Sequence, residues 1–426
     1  MKNYHDMNRR SFLKKSTLGT VGAMSIPTII GGCSNSAREE ETLCEVAVPE
    51  ILDKAPDGRP LKAGLIGCGG RGTGAACNFL DSGNDLQITA IGDTFKDKLD
   101  VCREALKGRG QQIADENCFV GFDAYRKVID SDVDLILHCT PAIFRPLHCE
   151  YAVSKGKHCF VEKPCAVDPV GARKMLAVGK QAAQQNLSVM SGFIRRWQKD
   201  CVETYRRVAG GAIGQIVSAH VSRMGSAVWF RQREKEWSDA EYMIRNWINF
   251  ICMDGDLLVD NLIHEIDMMS WFMGNKRPER AEGTGGRHRA VIGDMYDFWS
   301  AEYLFEKGFR AHCTNRYING CDNQNIVMLY GTKGYVDIYK GKIHDLDGEV
   351  TLIKAIRTNQ PFNDMELHVQ STLMGIMARE AAYTGKFVTW DQIMASDQKL
   401  GPETWQLGPI PGFHENIPLP GTPHKG

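Results

Sequence analysis

The stretch KAGLIGCGGRG, residues 62–72, joins an apolar strand to the start of a helix through closely spaced glycines. Gly67 permits a tight turn, Gly69 leaves room for a pyrophosphate against bare backbone, and Gly72 lets the helix pack close to its strand. The start of the helix offers unpaired N–H groups and a partial positive charge to phosphates. The stretch therefore predicts the phosphate-binding turn of a dinucleotide site.

A second apolar strand, residues 86–91, follows and leads to Asp93. Asp93 lies about 20 residues past the last glycine, where a carboxylate accepts hydrogen bonds from ribose hydroxyls and repels a 2′-phosphate. No arginine follows immediately, and Lys96 is the nearest cation. The sequence therefore predicts NAD as the cofactor, with NADP the less favoured dinucleotide.

The first 33 residues carry the features of an export signal. The segment NRRSFLK at 8–14 matches the twin-arginine pattern, and the apolar stretch 17–30 supplies the hydrophobic region behind it. The residues IGGC at 30–33 match a lipobox, in which Cys33 becomes the lipidated N-terminus; the alternative is an ordinary signal peptide with an incidental cysteine. We expect twin-arginine export to the periplasm, with an N-terminal lipid anchor as the only membrane contact.

Composition restricts the class of protein. The chain has 426 residues, of which 51 are Lys or Arg, 52 are Asp or Glu, and 43% are hydrophobic. No block rich in Lys and Arg follows the leader, which argues against a nucleic-acid partner. The length beyond the leader exceeds one domain of about 100–200 residues, so we expect two domains.

The order of strands and helices predicts how the chain is organised. Short apolar strands alternate with amphipathic helices over residues 61–191, which indicates a parallel sheet covered on both faces. We therefore predict an α/β protein with an N-terminal Rossmann domain at 61–191. Alternating strands then predict a C-terminal α+β domain at 192–385 with a large open, mostly antiparallel sheet. Residues 1–33 would be the signal, 34–60 a tether, and 386–426 a C-terminal extension.

The motif EKP at residues 162–164 directly follows the predicted strand 158–161. Lys163 is thereby predicted at the carboxyl edge of the sheet, where a nicotinamide would lie. The alternative is a surface lysine in a turn.

A second motif, Asp260-x-x-x-His264-x-x-Asp267, lies in a predicted amphipathic helix at 257–273. Residues four apart share a helix face, so Asp260 and His264 are expected to point into one cleft, and Asp267 extends that face. The alternatives are a core histidine and a helix N-terminal carboxylate. No further residues with ligand spacing accompany this set, so no metal site is predicted.

Together these motifs resemble the glucose-fructose oxidoreductase / inositol dehydrogenase / MocA (Gfo/Idh/MocA) family over roughly residues 62–385. The resemblance implies NAD(P)-dependent chemistry on sugars or polyols, and a C-terminal sheet through which the chain forms a homo-oligomer, a dimer or tetramer. By motif match, Lys163, Asp260 and His264 take the family's catalytic positions. The motifs are the glycine turn, Thr140-Pro141, Gly156-Lys157-His158, Glu162-Lys163-Pro164, Gly211-x-x-Gly214 and the Asp-x-x-x-His helix.

The chemistry of these side chains agrees with that implied function. A base must take the hydroxyl proton when hydride leaves a sugar carbinol, and a histidine with an ordinary pKa of about 6.5 suits that task. Lys163 would hold and polarise the same oxygen, and Asp260 would bind a neighbouring hydroxyl or tune the pair. The residues expected to bind the cofactor are Gly67, Gly69, Gly70, Arg71, Gly72, Asp93, Thr140, Pro141, Glu162 and Lys163.

Candidates for binding the carbohydrate substrate come from both halves of the chain. The expected set is Arg195, Arg196, Asp267 and Tyr296, with Asp297 and Arg316 as further candidates. Solvated charge or sheet packing explains each of them equally well. An aromatic cluster forms either a carbohydrate-stacking loop or an oligomer contact; its members are Trp229, Phe230, Trp237, Tyr242 and Trp247.

Three functions remain open from the sequence. The leading one is an NAD-dependent carbohydrate oxidoreductase with tightly bound, internally recycled cofactor. The second is an NAD-dependent glycosidase resembling the α-N-acetylgalactosaminidases, and the third is a binding protein without catalysis. Leu262 replaces the glycine that relatives usually carry two residues before the histidine, so the specific substrate stays open.

Overall fold

The computed structural model describes residues 50–288, 292–340, 349–410 and residue 413. The predicted twin-arginine signal, Cys33 and most of the predicted tether lie outside the described residues. Within the described ranges, no helix combines the length and the apolar character needed to cross a bilayer.

The N-terminal domain is a parallel sheet with helices on both faces. Its strands are β1 (Leu61–Ile66), β2 (Leu86–Asp93), β3 (Cys118–Val120), β4 (Leu135–His138), β5 (His158–Val161) and β6 (Val189–Ser191). Its helices are α1 (Gly70–Asp81), α2 (Lys96–Lys107), α3 (Ala124–Asp130), α4 (Arg145–Ser154) and α5 (Pro169–Gln184). The strand order is β3-β2-β1-β4-β5-β6, which confirms the predicted Rossmann domain.

The sequence explains why this sheet is buried. The strand β4, with the sequence LILH, is buried at every position, and β1 is buried at five of its six. Such apolar runs suit strands covered by helices on both faces. The strand order reverses between β1 and β4, and this is the switch point at which parallel sheets open a ligand crevice.

The C-terminal domain is a seven-stranded sheet packed against helices. Its strands are β7 (Ile216–Gly225), β8 (Arg280–Gly286), β9 (Phe298–Leu304), β10 (Arg310–Tyr317), β11 (Gln324–Gly331), β12 (Gly334–Asp337) and β13 (Val388–Thr389). Its helices are α6 (Lys199–Ala209), α7 (Asp239–Arg245), α8 (Ile251–Asp254), α9 (Leu257–Asp260), α10 (Ile263–Phe272), α11 (Glu349–Arg357), α12 (Met365–Thr384) and α13 (Trp390–Ala395). The order is β12-β11-β7-β10-β9-β8-β13, and only the β7–β10 pairing is parallel, so the predicted mostly antiparallel sheet is confirmed.

Helix α12 connects the two domains at their common core. It is buried over most of its 20 residues. A helix that is buried on nearly all of its faces lies inside a protein rather than on its surface. Residues of both domains, such as Val161, Trp271 and Met365, therefore belong to one continuous apolar cluster.

Helix α11 and the segment after it, which the sequence analysis did not identify, return to the Rossmann domain. Leu352 and Ile353 belong to the same apolar cluster as Leu61 of β1. Asn363 then forms a parallel bridge with Val189 at the edge of the Rossmann sheet.

The predicted tether and C-terminal extension also contain packed residues. Ala55 is buried, and its N–H donates to the carbonyl of Ser82 at 2.7 Å. At the other end, β13 pairs with β8, and the N–H of buried Leu400 donates to the Asp168 carboxylate at 2.7 Å. Both segments therefore contain residues that pack against the two domains.

Candidate active site

A cavity of about 700 Å³ opens at the carboxyl edge of the Rossmann sheet, between the two domains. All the residues expected to bind the cofactor or to catalyse line this one cavity. They are Gly67, Gly69, Gly70, Arg71, Gly72, Asp93, Thr140, Pro141, Glu162, Lys163, Asp260 and His264.

The glycine turn has the space that a dinucleotide phosphate needs. A Cβ on Gly69 or Gly70 would meet no atom within 4 Å, so bare backbone faces the cavity. A Cβ on Gly72 would lie 1.8 Å from the Gly67 carbonyl oxygen, so the close packing of α1 on β1 requires glycine. Gly67 itself has φ +95°, a conformation that side chains disfavour. Helix α1 begins at Gly70 without a side-chain cap, and its first N–H groups remain available to an anion.

Asp93 ends β2 and supports the turn from the side. Its Oδ2 accepts the N–H of Cys68 at 2.7 Å, and its Oδ1 accepts the N–H of Phe95 at 2.9 Å. Burial raises the pKa of Asp93, and these two hydrogen bonds act in the opposite direction. A carboxylate has about four lone-pair sites, so acceptor capacity remains for ribose hydroxyls.

Two further groups bear on how well a dinucleotide fits. Arg71 donates from Nε to Oε1 of buried Glu162 at 2.6 Å, which fixes the guanidinium at the edge of the cavity. The hydroxyl oxygen of Thr140 is buried and has no hydrogen-bond partner among the described residues. An unsatisfied buried hydroxyl beside an open glycine turn suits a polar ligand, so these residues fit the predicted cofactor.

Lys163 and Asp260 bring β5 and α9 together within the cavity. The Lys163 ammonium donates to Asp260 Oδ1 at 2.9 Å and to the Asp260 carbonyl oxygen at 2.5 Å. The side chain of Lys163 is only 14% exposed and that of Asp260 only 6%. The pair therefore holds the ammonium at one position with a third donor free for a substrate oxygen.

His264, which lies on α10, lines the same cavity as Lys163 and Asp260. Burial lowers its pKa well below the ordinary value, and the charges of Lys163, Arg223 and Arg195 lower it further. The imidazole is therefore neutral at pH 7 and able to accept a proton. Its Nδ1 has no hydrogen-bond partner among the described residues.

The helix that carries this motif differs from its prediction. The sequence predicts one helix over 257–273, but the structure has α9 and α10 with a break at Asn261 and Leu262. Asp260 and His264 nevertheless both line the cavity. The side chain of Leu262 is fully buried, so it does not line the cavity itself.

Asp254 is a buried carboxyl that the sequence analysis missed. It is fully buried on α8, and neither carboxyl oxygen has a hydrogen-bond partner among the described residues. Burial raises its pKa well above the ordinary value, and the negative charge of nearby Asp260 raises it further. Burial and the neighbouring charge therefore favour the neutral form of Asp254 beside the Lys163–Asp260 pair. No local motif marks it, because only folding brings α8 to this pair.

The four residues expected to bind substrate do not line the cavity. Arg196 and Asp267 form a buried bidentate ion pair, with nitrogen–oxygen distances of 2.9 and 2.8 Å. Ser371 donates to Asp267 at 2.8 Å, so this carboxylate is satisfied inside the protein. The guanidinium of Arg195 lies 4.8 Å from the centre of the Tyr339 ring.

The remaining candidates from the second domain also serve packing. Tyr296 is fully buried and stacks on Tyr383 with ring centroids 4.0 Å apart. Asp297 is buried and accepts the N–H of His288 at 2.7 Å. Arg316 donates to the carbonyl of Asp322. Their positions differ from the expectation because long-range packing, which no local spacing reveals, decides which side chains reach the cleft.

The aromatic cluster divides into two groups. Trp229 and Trp247 line the cavity, with ring centroids 6.1 Å apart. Tyr242 and Trp237 instead pack in an apolar cluster behind the wall, and Phe230 is exposed outside the cavity lining. Several other residues line the cavity without a motif that marks them in the sequence, namely Lys98, Phe122, Phe144, Arg145, His148, Arg231 and Arg245.

Both domains match family models of known proteins. Residues 61–193 match the family model described as an oxidoreductase family with an NAD-binding Rossmann fold. Residues 202–337 match the GFO/IDH/MocA C-terminal domain. Together the two models cover more than half of the chain.

Curated relatives and solved structures resemble the chain more distantly. An inositol 2-dehydrogenase from Acidothermus cellulolyticus is 23% identical over 56% of this chain and 61% of that protein. A glycosyl hydrolase family 109 protein 2 from Shewanella sp. (strain ANA-3) is 34% identical over 52% of this chain and 47% of that protein. The aligned part therefore spans less than two thirds of these relatives. A scyllo-inositol dehydrogenase from Lactobacillus casei, solved with NAD(H) and scyllo-inositol, shares the fold with a TM-score of 0.61 and 21% identity, covering 78% of this chain and 99% of that one.

Proposed function

Because the chain belongs to the Gfo/Idh/MocA family of NAD-binding oxidoreductases, we propose that it oxidises a hydroxyl group of a sugar, glycoside or polyol. One observation carries this proposal. Lys163, Asp260 and His264 line the same cavity as the glycine turn and Asp93. A general base and a cationic oxygen-binding group therefore share a cleft with the dinucleotide-binding residues.

Each of the three side chains has a defined task in this reaction. Neutral His264 takes the hydroxyl proton of the substrate. The ammonium of Lys163 donates a hydrogen bond to the same oxygen and stabilises the negative charge that develops on it. Asp260 holds that ammonium through its carboxylate and carbonyl oxygens. When bound, the nicotinamide supplies the acceptor for the hydride.

The test is a panel of sugars, glycosides and polyols, with nicotinamide absorbance recorded and the products identified. We expect Lys163→Met and His264→Ala to lower the rate of hydride transfer at least about 10²-fold, the effect of losing an acid–base group. Lys174→Met is the matched control for Lys163→Met, because the Lys174 side chain lies outside the cavity lining. Activity close to that of the parent in the site variants would contradict the assigned roles.

A glycosidase that works by transient oxidation is the second candidate. The Shewanella relative named as a glycosyl hydrolase is the observation that favours it. Such an enzyme oxidises a ring hydroxyl, eliminates the glycosidic substituent, adds water and reduces the ring again. Release of free sugar from a glycoside without accumulation of NADH would identify this reaction, whereas NADH or a coupled reduced product would identify the oxidoreductase.

Export and anchoring are a further part of the proposal. They rest on the twin-arginine segment at 8–14 and on Cys33, both outside the described residues. Arg9→Lys with Arg10→Lys is expected to retain the protein in the cytoplasm, and Cys33→Ser to move it from the membrane fraction to the soluble periplasm. An unchanged distribution in both variants would contradict the assignment.

Assembly into a dimer or tetramer is proposed through the open face of the C-terminal sheet. Strand β10 alternates buried and partly exposed residues, so one face of the sheet is packed and the other is accessible. Light scattering on the purified protein tests this, with His220 and His312 as substitution sites because they stack on that partly exposed face.

A further inference from the structure

The segment between β7 and α8, residues 226–250, forms one wall of the cavity. Trp229, Arg231, Arg245 and Trp247 of this segment line it. The residues already assigned to catalysis and to the cofactor all lie elsewhere in the chain. The part of this wall that carries Trp229 and Arg231 is therefore a candidate for contact with the part of the substrate that does not react.

Two buried asparagines hold the exposed part of this wall in place. Asn246, fully buried, accepts the N–H of Arg231 at 2.7 Å and donates to the Arg231 carbonyl at 3.2 Å. Asn249, also fully buried, donates to the Trp229 carbonyl at 3.0 Å. Backbone that is fixed by buried amide groups presents its side chains in a defined geometry. Trp229 and Arg231 are thus displayed from a rigid support.

The Trp229 side chain stays half-exposed although it contacts a second tryptophan. The residue is 46% exposed, and it meets the Trp247 ring at an interplanar angle of 74°. An aromatic ring that lines a cavity and stays half-exposed offers apolar area with a flat face. A ligand with C–H groups or an aromatic substituent gains by covering that area.

The charged side chains that line the cavity indicate the chemistry of its ligand. Its lining contains six Lys and Arg residues and three Asp and Glu residues. Arg71, Lys163 and Arg245 have carboxylate partners. The buried Arg145 donates to a backbone carbonyl. Among the described residues, no ion pair satisfies the two remaining lining cations, Lys98 and Arg231.

Lys98 and Arg231 lie on different domains. Lys98 lies on α2, five residues past Asp93, so it accompanies the ribose-binding end of the cofactor site. Arg231 lies in the C-terminal domain, two residues after Trp229, and its side chain is exposed. An exposed guanidinium without an acidic partner binds carboxylate or sulfate oxygens through paired N–H donors.

We propose that Trp229 and Arg231 form a subsite for an anionic saccharide. The sugar ring or its aromatic substituent packs against Trp229, and Arg231 binds a carboxylate or sulfate group on the same ligand. The inference rests on the proposed function and specifies its substrate class as acidic or sulfated sugars. The hydroxyl that reacts lies at Lys163 and His264, and the anionic group lies at Arg231.

Matched pairs of sugars test this directly. NAD-loaded protein is assayed with p-nitrophenyl glucoside against p-nitrophenyl glucuronide, and with glucose against glucose 6-sulfate. We expect the KM of the preferred anionic sugar to be at least about tenfold lower than that of its neutral counterpart, the effect of one charge-assisted hydrogen-bonded pair. The glucuronide and sulfate arms identify which anion is recognised.

Substitutions assign the effect to the two residues. Arg231→Ala is expected to raise the KM of the anionic sugar at least about tenfold, to a value close to that of its neutral counterpart, and Arg231→Lys to restore part of the preference. Trp229→Ala is expected to raise the KM of both members of each pair. The matched controls are Arg233→Ala, whose guanidinium pairs with Asp239, and Phe230→Ala, since neither side chain lines the cavity.

Calorimetric binding of the same sugars separates this inference from the proposed function. Arg231-dependent binding of an anionic sugar without turnover would support the subsite and contradict the oxidoreductase. Turnover of sugars with equal KM for neutral and anionic members would support the oxidoreductase and overturn the subsite. Loss of bound NAD in Arg231→Ala or Trp229→Ala, with sugar binding unchanged, would also overturn it, because the residues would then belong to the cofactor site.

Discussion

Asp93 combines two tasks at the end of β2. It fixes the glycine turn through the N–H of Cys68, and it retains lone pairs on the side where a ribose would lie. Its hydrogen bonds support the shape of the turn, and we propose that its negative charge discriminates against a 2′-phosphate. Removing the side chain should therefore affect both selectivity and local stability.

We expect Asp93→Ala to narrow the difference in affinity between NAD and NADP. The carboxylate no longer repels the 2′-phosphate, while Lys98 in the same cavity remains available to attract it. Dissociation constants for both dinucleotides, measured on the parent and the variant, check this. Asp93→Asn is the control, because the amide keeps an acceptor for a backbone N–H without the charge. Equal or better binding of NADP by the parent would contradict the assignment.

The environment of His264 determines the pH dependence that we expect for the reaction. The pKa of His264 is lowered by burial and by the cations Lys163, Arg223, Arg195 and Arg71. A lowered pKa keeps the imidazole unprotonated as the pH falls, so the base form persists below the ordinary histidine pKa of about 6.5.

We therefore expect kcat/KM to stay level as the pH decreases through neutrality, and to fall only well below the ordinary histidine pKa. His264→Ala should remove this acid limb together with most of the rate. Rates measured from pH 4 to 8 with a saturating supply of NAD give the profile. A loss of activity centred at the ordinary pKa would show that His264 is solvated, or that another group is the base.

The sequence predicts those helices and strands whose residue pattern is itself typical of a helix or a strand. Strand β5 matches its predicted range, residues 158–161, because its apolar pattern is a local feature. Strands β3 and β13, of three and two residues, were not predicted, since their pairing with longer neighbours defines them. Helix α11 was missed for the same reason, because its apolar face is recognised only against the Rossmann core.

Arg245 links the second-domain wall to the start of α2. Its guanidinium donates to the two carboxylate oxygens of Asp97 at 3.0 and 3.1 Å, and it lies 4.0 Å from the centre of the Phe95 ring. Phe95 and Arg245 both line the cavity close to Asp93. This contact joins the two domains across the expected adenosine end of the cofactor.

We expect Arg245→Ala to speed NAD dissociation by about tenfold, because it removes a cation–π contact and a partly exposed ion pair that are together worth about 1–2 kcal/mol. Asp97→Asn should give a smaller effect, since the contact with Phe95 remains. Stopped-flow release of NAD into a trapping enzyme measures both rates. Arg233→Ala is the matched control, because this arginine pairs with Asp239 within its own segment. An unchanged rate in Arg245→Ala would show that the link does not retain the cofactor.

Considered as a whole, the molecule shows why the sequence specified one half of the site better than the other. The cofactor half is built from residues that directly follow β1, β2, β4 and β5, and strand ends converge at a sheet edge whatever the rest of the chain does. The opposite side of the cavity is formed by the wall at 226–250 and by helices of the second domain, which long-range packing positions. Arg196 and Asp267 have suitable chemistry, but long-range packing joins them to each other inside the core.

The same architecture bears on the fate of the cofactor. Side chains of both domains pack in one apolar cluster, and α11 returns to the Rossmann domain after the second sheet is complete. Separation of the domains would expose this shared core, which is costly. A dinucleotide bound between them is therefore expected to leave slowly.

The final prediction is that NAD is loaded before export and stays bound through each catalytic cycle. An exported protein has no evident pool of free NAD and no obvious partner to reoxidise NADH, so an enzyme that released its cofactor would stop after one turnover. The net chemistry is then redox-neutral, either oxidation of one sugar coupled to reduction of another, or transient oxidation within one glycoside. Protein purified without added NAD should keep stoichiometric dinucleotide through extensive dialysis, measured by absorbance after denaturation. Recovery of cofactor-free protein that requires added NAD and releases NADH into solution would contradict this, and would identify an ordinary dehydrogenase.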